Sequence, residues 1–253
     1  MINSVKPNLI VSDSRGAWFR ATILFILALI GTVGMWSVVV FIPDIEKEFG
    51  LDRGTSSLLY AFTMIGFGFG TVIIGKFYDK FGIKKPILLA TFVLITSYYF
   101  YSIFPFYWQF LILQFFMGFA ASAFFGPAMA DISNFFNKQR GFALSIVASA
   151  NYVAGATWPL LIGYFLTFID WRAAHFWISI CLFIMIPLIL LLKNASVDES
   201  KSHDMKQRYK DIRLDLSNNQ IQVLLMLAGI CCCVAMAWLL YTSPSPRDQE
   251  ASR

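Results

Sequence analysis

Charge is scarce in this chain. Asp, Glu, Lys and Arg make up 14% of its 253 residues, against about a quarter in a soluble domain. That is too little to coat a water-facing surface around a chain that is 58% apolar, so much of the surface must face something other than water. Cysteine is equally sparse. Cys181, Cys231, Cys232 and Cys233 all lie inside apolar runs with no C-x-x-C spacing, which points away from a disulfide framework and a zinc site. They read as small apolar residues of membrane helices. No G-x-x-x-x-G-K-(S/T) loop occurs, so direct ATP drive is not encoded here. The apolar stretches hold no paired histidines, catalytic acids or nucleophile at matching depth, which leaves a membrane-embedded hydrolase or transferase without its chemistry. No metal or cofactor is called for.

What is present is apolar length. A membrane helix needs about 20 mostly apolar residues. Uncharged stretches run over Ala21–Pro43, Thr55–Gly75, Pro86–Ala130, Gly141–Ile169 and Ala173–Leu192, and another starts near Gln220 and runs to about Trp238. The third is too long for one span and divides at Phe104-Pro105-Phe106, because proline disfavours helix on both sides of itself. Six spans and the start of a seventh follow, in an all-α membrane protein. The first stretch is too long for a signal-peptide core and has no small-x-small cleavage site after it, so it reads as a retained helix. Aromatics are plentiful, with 26 Phe, 10 Tyr and 7 Trp, which suits lipid contact and interface anchoring.

The net charge is +5. The basic residues lie between apolar stretches rather than in one patch, so they read as topology signals rather than a nucleic-acid footprint. With the N-terminus inside, fifteen Lys and Arg fall on the inner side, and only Lys47, Arg53 and Arg172 fall on the outer. This asymmetry predicts a cytoplasmic N-terminus in a plasma (inner) membrane. The expected organisation is a cytoplasmic N-terminus over 1–20, a six-helix unit over 21–192, a charged cytoplasmic loop over 193–217, a truncated seventh helix over 218–238 and a tail over 239–253.

The loop between the second and third spans reads Gly75-Lys-Phe-Tyr-Asp79-Lys80-Phe-Gly82-Ile-Lys84-Lys85. It resembles the signature loop of the major facilitator superfamily, G-x-x-x-D-(R/K)-x-G-x-(R/K)-(R/K). Gly75 is expected to let two helix ends approach closely, Gly82 to supply a backbone conformation that a Cβ penalises, and Asp79 to pair with the surrounding lysines. The resemblance implies a gating role, with the acid also facing a helix end in the other half of the transporter. Between the fourth and fifth spans, Phe136, Arg140, Gly141 and Ala143 resemble the superfamily's W-F-P-x-(R/K)-R-G-x-A connection. Asp131 is expected to pair with Arg140 or a lysine of the second-span loop as a charge relay. Asp170-Trp171-Arg172 resembles the G-W-R turn before the sixth span. Gly163-x-Phe165 followed by Arg172 echoes Gly75-x-Phe77 followed by Lys84 on the opposite face, as inverted three-helix repeats would produce.

Gln114 stands where the drug–proton antiporter branch carries Arg, and Trp158-Pro159 stands where it carries Gly-Pro. Gly34-Met35-Trp36, Pro43, Glu48-Phe-Gly50-Leu, Arg53 and Ser57 resemble the oxalate/formate antiporter and monocarboxylate transporter branch. That resemblance implies a small organic anion, moved by exchange or with protons, and a second six-helix half as partner. Small residues four apart, Gly66 and Gly70 on the second span and Gly118, Ser122, Gly126 and Ala130 on the fourth, read as packing seams. Polar groups within the spans are few, and lipid exposure of an amide is costly. Trp36, Gln114, Asn151 and Trp158 are therefore the candidate cavity residues, with Trp158 narrowing the cavity beside a break at Pro159. His175 reads as an interfacial anchor at the outer edge of the sixth span rather than a proton-coupling group. The stretch Leu239 to Asp248 resembles a translated sequencing adapter, so the tail is expected to be non-native. A permease subunit of an ATP-driven importer is the alternative, and the Gly75–Lys85 loop speaks against it.

Overall fold

A computed structural model describes residues 13–192 together with Ser217, Gln220, Val223, Leu224, Leu227 and Cys231. The chain divides into two units, Met1–Val197 and Asp198–Arg253. The first contains six helices long and apolar enough to cross a membrane: Arg15–Phe49, Arg53–Phe81, Lys84–Ile103, Tyr107–Ser133, Arg140–Phe165 and Trp171–Leu191. The described residues contain no strand. The architecture is an all-α membrane bundle. In the second unit, Ser217 N–H donates to Gln220 Oε1 at 2.8 Å, and Gln220 N–H returns a bond to Ser217 Oγ at 3.4 Å. This reciprocal pair is a helix-start signature, and it lies where the seventh span is expected. Most of that span, most of the 193–217 loop and the tail lie outside the described residues.

Local chemistry sets the ends. Ser14 Oγ accepts from Ala17 N–H at 3.3 Å to start the first helix at Arg15 rather than Ala21. Gly50, at φ +62°, ends the first span. Asp52 then caps the second, accepting from Gly54 N–H at 2.9 Å and Thr55 N–H at 3.2 Å. Gly82, at φ +73°, turns the chain out of that helix, a backbone region where a Cβ is penalised. The Pro105 turn separates the third and fourth spans as the proline pattern predicts. Pro43 and Pro159, in contrast, lie inside helices that continue past them. No break marks Pro159, because in a bundle neighbouring groups can re-satisfy what a proline frees.

The first and fourth spans are instead interrupted near their middles. The first breaks at Thr32, whose hydroxyl and N–H both donate to the Ala28 carbonyl. The fourth tightens into a 3₁₀ turn over Ser122–Phe124. The two interruptions meet: a Cβ on Gly31 would overlap the Phe124 ring. The second span packs chiefly on the fourth, the first on the fifth and the third on the sixth. Exchanging spans one to three with four to six maps this pattern onto itself, as inverted repeats require.

The tightest seam joins the second and fourth spans. A Cβ on Gly66 would overlap the Phe115 carbonyl, one on Gly118 the Thr63 carbonyl, and one on Gly70 the Phe119 backbone and the Ser122 hydroxyl. Backbone meets backbone here, which small residues permit. Gly75 differs from its expected role, since a Cβ there meets nothing within 4 Å. Its Cα faces open space, five residues past Gly70 at the seam. We expect Gly118→Ala to destabilise the protein by about 3 kcal/mol or more, as overpacking against backbone does. Gly75→Ala should leave stability nearly unchanged. Thermal unfolding of both variants in detergent checks the pair, and equal midpoints would refute the assignment of the seam.

Candidate functional site

The middle of the bundle brings two expected cavity residues together. Trp36, four residues past the break in the first span, donates its indole N–H to Asn151 Oδ1 on the fifth span at 3.2 Å. Gly155, one turn further along the fifth span, lies under the ring, where a Cβ would sit 2.9 Å from its carbons. Trp158 joins the same seam differently. Its indole N–H donates to the Leu29 carbonyl at 2.8 Å. Leu29 is in the last turn before the break, where carbonyls lose their helical partners. Trp158 therefore satisfies the break and ties the fifth span to it. Trp36, Asn151 and Trp158 are all partly exposed. Asn151 Oδ1 is occupied by the indole, and its amino group keeps two donors for another ligand.

Gln114 lies elsewhere, fully buried at 1% exposure. Its Oε1 accepts from the Thr63 hydroxyl at 2.9 Å, and its amino group donates to the Tyr101 hydroxyl at 3.4 Å. It cross-links the second, third and fourth spans and does not reach the Trp36–Asn151 seam. His175 is not an interfacial anchor. It is 1% exposed, stacked on Tyr101 with ring centroids 4.3 Å apart and packed on Phe41 at 4.1 Å. Its Nδ1 bonds the Trp171 carbonyl at 2.7 Å, one turn back. The sixth span starts at Trp171, so His175 enters the bundle core instead of staying at its rim. Tyr98 beside it bonds the Ser37 hydroxyl at 2.6 Å.

At the end of the bundle carrying the lysine-rich loop, the expected pairing is replaced by another. Asp131 takes Arg20, not Arg140 or a loop lysine: its carboxylate accepts from Arg20 Nε at 2.6 Å and from Nη2 at 2.9 Å. Both residues are buried, and the Arg20 guanidinium also lies 4.6 Å over the Phe135 ring. Because the first helix begins at Arg15, Arg20 is already a turn inside the bundle, where a planar fork suits a buried carboxylate. An arginine at the border of an apolar stretch is the signal that marks it, since such a residue needs an acid partner. Asp79 is exposed and makes no ion pair among the described residues. Of the neighbouring lysines, Lys80 and Lys85 instead flank the Phe81 ring at 5.3 and 4.6 Å.

Asp13, which precedes the first span, holds the connection between the fourth and fifth. It has φ +56°, the one non-glycine positive φ among the described residues. Its carboxylate accepts from the backbone N–H groups of Asn137, Lys138 and Gln139 at 3.3, 3.2 and 3.3 Å. Desolvation pushes this carboxyl up, but the three N–H bonds together outweigh it and hold the group below its ordinary range. At the opposite end Glu48 closes the first span. It accepts from the Trp171 indole at 2.8 Å and from Arg172 at 2.6 Å, while Arg172 also donates to the Phe104 carbonyl at 2.8 Å. The Asp-Trp-Arg turn is thus a staple joining three connections.

A profile of the Major Facilitator Superfamily matches residues 24–250. The chain belongs to the Major Facilitator Superfamily. It is 28% identical over 151 residues to the MFS-type transporter pynF of Aspergillus niger, covering 58% of this chain and 34% of that protein. It is 27% identical over 156 residues to the agnestins efflux protein AgnL12 of Paecilomyces divaricatus, covering 59% and 35%. It is 23% identical over 172 residues to the inner membrane transport protein YnfM of Escherichia coli, covering 67% and 41%. The chain spans between a third and about two fifths of the length of these relatives. Their names are those of transporters, not enzymes.

Two outcomes follow from the charged end. Asp131→Asn removes the counter-charge from a buried arginine, a loss of about 3–5 kcal/mol, and should lower the thermal midpoint sharply. An unchanged midpoint would contradict burial of the pair. For Asp13, the folded carboxyl sits below its unfolded value near 3.8. The stabilisation is therefore complete above that value and is lost as pH falls through the lower folded one. Hydrogen exchange at the amides of 137–139 should lose protection only in that acid window. Loss already at neutral pH would refute the contact.

Proposed function

We propose that this chain is the amino-terminal half of a secondary transporter that moves a small organic solute across the plasma (inner) membrane by alternating access, with a second six-helix unit as its partner. The observation that supports this most is the Trp36–Asn151 bond. It is a polar, partly open contact between the first and fifth spans in an otherwise apolar wall. The indole takes one lone pair of the amide oxygen, so both N–H donors of the amino group stay available to a ligand. Such donors suit a carboxylate, and an organic anion, mono- or dicarboxylate, is the substrate class we put forward. Trp158 supports this wall through Leu29, while Gln114, expected in the cavity, instead braces the second, third and fourth spans through Thr63 and Tyr101.

The N-terminus is cytoplasmic in this reading, because the end with Lys76, Lys80, Lys84, Lys85 and Lys138 is the basic one. Gly75, Asp79, Lys80, Gly82, Lys84 and Lys85 then form a gating loop on the inner face. The exposed Asp79 remains available to a helix end of the partner half. Arg140 begins the fifth span on the same face. This reading takes 193–217 as the link between the halves and 218–238 as the start of the seventh span.

Transport direction has a second reading in the agnestins efflux relative. Proteoliposomes of the full-length protein, loaded or bathed with candidate carboxylates, address both. We expect flux that responds to an imposed proton gradient or counter-substrate and not to ATP. Asn151→Leu should raise KM about tenfold or more, the loss of hydrogen bonds to a charged ligand. Flux that requires ATP, or an unchanged KM, would overturn the assignment.

A further inference from the structure

Residues 13–20 precede the apolar part of the first span and could be taken for a mere tail. Their contacts say otherwise. Asp13 N–H donates to the Phe135 carbonyl at 3.2 Å, and its carboxylate takes three consecutive N–H groups just before Arg140, where the fifth helix begins. A carboxylate at that place ties down the three N–H groups that lead into the helix, and the nearby helix dipole favours it too. Gln139, which precedes the helix, has no side-chain cap bond of its own. Five residues on, the Trp18 ring meets Phe136 edge-on at 4.9 Å and Phe142 at 6.0 Å. Two further on, Arg20 holds Asp131 at the end of the fourth span. One eight-residue segment therefore grips the fourth span, the connection and the fifth span by carboxylate–amide bonds, ring packing and ion pair.

We propose that Asp13, Trp18 and Arg20 are positioning residues of the transport cycle, clamping the inner ends of the first, fourth and fifth spans so that these reorient together. The proposal rests on the transport reading for its consequence, though not for its geometry. The clamp is remote from the solute. Asn151 lies twelve residues past Gln139 along one helix, about 18 Å at 1.5 Å per residue, and is held locally by Trp36. Loosening the clamp therefore slows reorientation while leaving the solute contacts in place.

The test has two arms. In the structural arm, this chain and its Asp13→Ala and Asp13→Asn variants are reconstituted in lipid nanodiscs, and hydrogen exchange is followed. Asp13→Ala should speed exchange at the amides of 137–139 about fivefold or more, the loss of hydrogen bonds to a charged acceptor. The amides of Leu113 to Met117 should stay unchanged, and Asp13→Asn should recover part of the protection because its oxygen still accepts. Uniform loss across the bundle, or no loss at 137–139, overturns the proposal whatever the protein transports. In the functional arm, the full-length protein carries the same variants, together with Arg20→Lys, Arg20→Asp and the Arg20→Asp/Asp131→Arg exchange. We expect turnover per folded molecule to fall several-fold in Asp13→Ala and Arg20→Asp with KM within twofold, and to recover in Asp13→Asn, Arg20→Lys and the exchange. A raised KM with normal turnover, or normal turnover in all variants, overturns the clamp. If the unmodified protein transports nothing, the transport reading fails instead, and the first arm still judges the contacts.

Discussion

The close crossing of the second and fourth spans governs the rest of the bundle. Where Gly66, Gly70 and Gly118 bring backbone against backbone, no side chain keeps the helices apart, and dispersion and polar contacts act at short range. Thr63 shows the consequence. Its carbonyl abuts Gly118, and its hydroxyl bonds Gln114, one turn before that glycine. Gln114 can then reach Tyr101 on the third span. Tyr101 is sandwiched between Phe110 at 4.4 Å and His175 at 4.3 Å, so the sixth span is positioned by the same chain of contacts. Polar groups in a lipid-facing protein must find internal partners, and the described buried side chains have all found them.

The first span carries the other half of the order. It is tied at one end by Arg20 to Asp131, in the middle by Gly31 against Phe124, by Trp158 to Leu29 and by Trp36 to Asn151, and at the far end by Glu48 to Trp171 and Arg172. Each tie runs to the second set of three helices. The two three-helix repeats are thus interlocked at both faces and at mid-depth. In the proposed transporter a unit fastened in this way would move as one body, with solute access changing at its outer surfaces rather than within it. The partly exposed Trp36–Asn151 seam is where polar chemistry reaches such a surface.

Much of this was legible in the amino-acid order. Apolar length, the Phe104-Pro105-Phe106 turn and the lysine distribution give the six spans, and the Gly75–Lys85 loop gives the family. The packing role of Gly66, Gly70 and Gly118 was also readable from their spacing. Pairings were less so. Arg20 looked like a topology charge because apolar counting begins the helix at Ala21, whereas Ser14 caps it earlier. His175 reads as interfacial from its distance to the span end, because local sequence does not show the aromatic rings of the first and third spans that close over it. Pro159 looked like a break, yet the breaks fall at Thr32 and Ser122–Phe124. No proline stands at Thr32, whereas the second break comes just before Pro127, which cannot donate to the Ala123 carbonyl one turn back, and the two kinks touch through Gly31 and Phe124. Partners distant in sequence are set by the bundle's geometry, and local patterns do not encode them.

The central claim is that the seam between the first and fifth spans forms part of a solute path open to each face in turn. Labelling Asn151→Cys in the full-length protein, with its native cysteines replaced, by a membrane-impermeant thiol reagent tests this most directly. Alternating access requires labelling from both faces of sealed vesicles, with the rates shifting in opposite directions when a transported solute is present on one side. Labelling from one face only, unmoved by any solute, would contradict it.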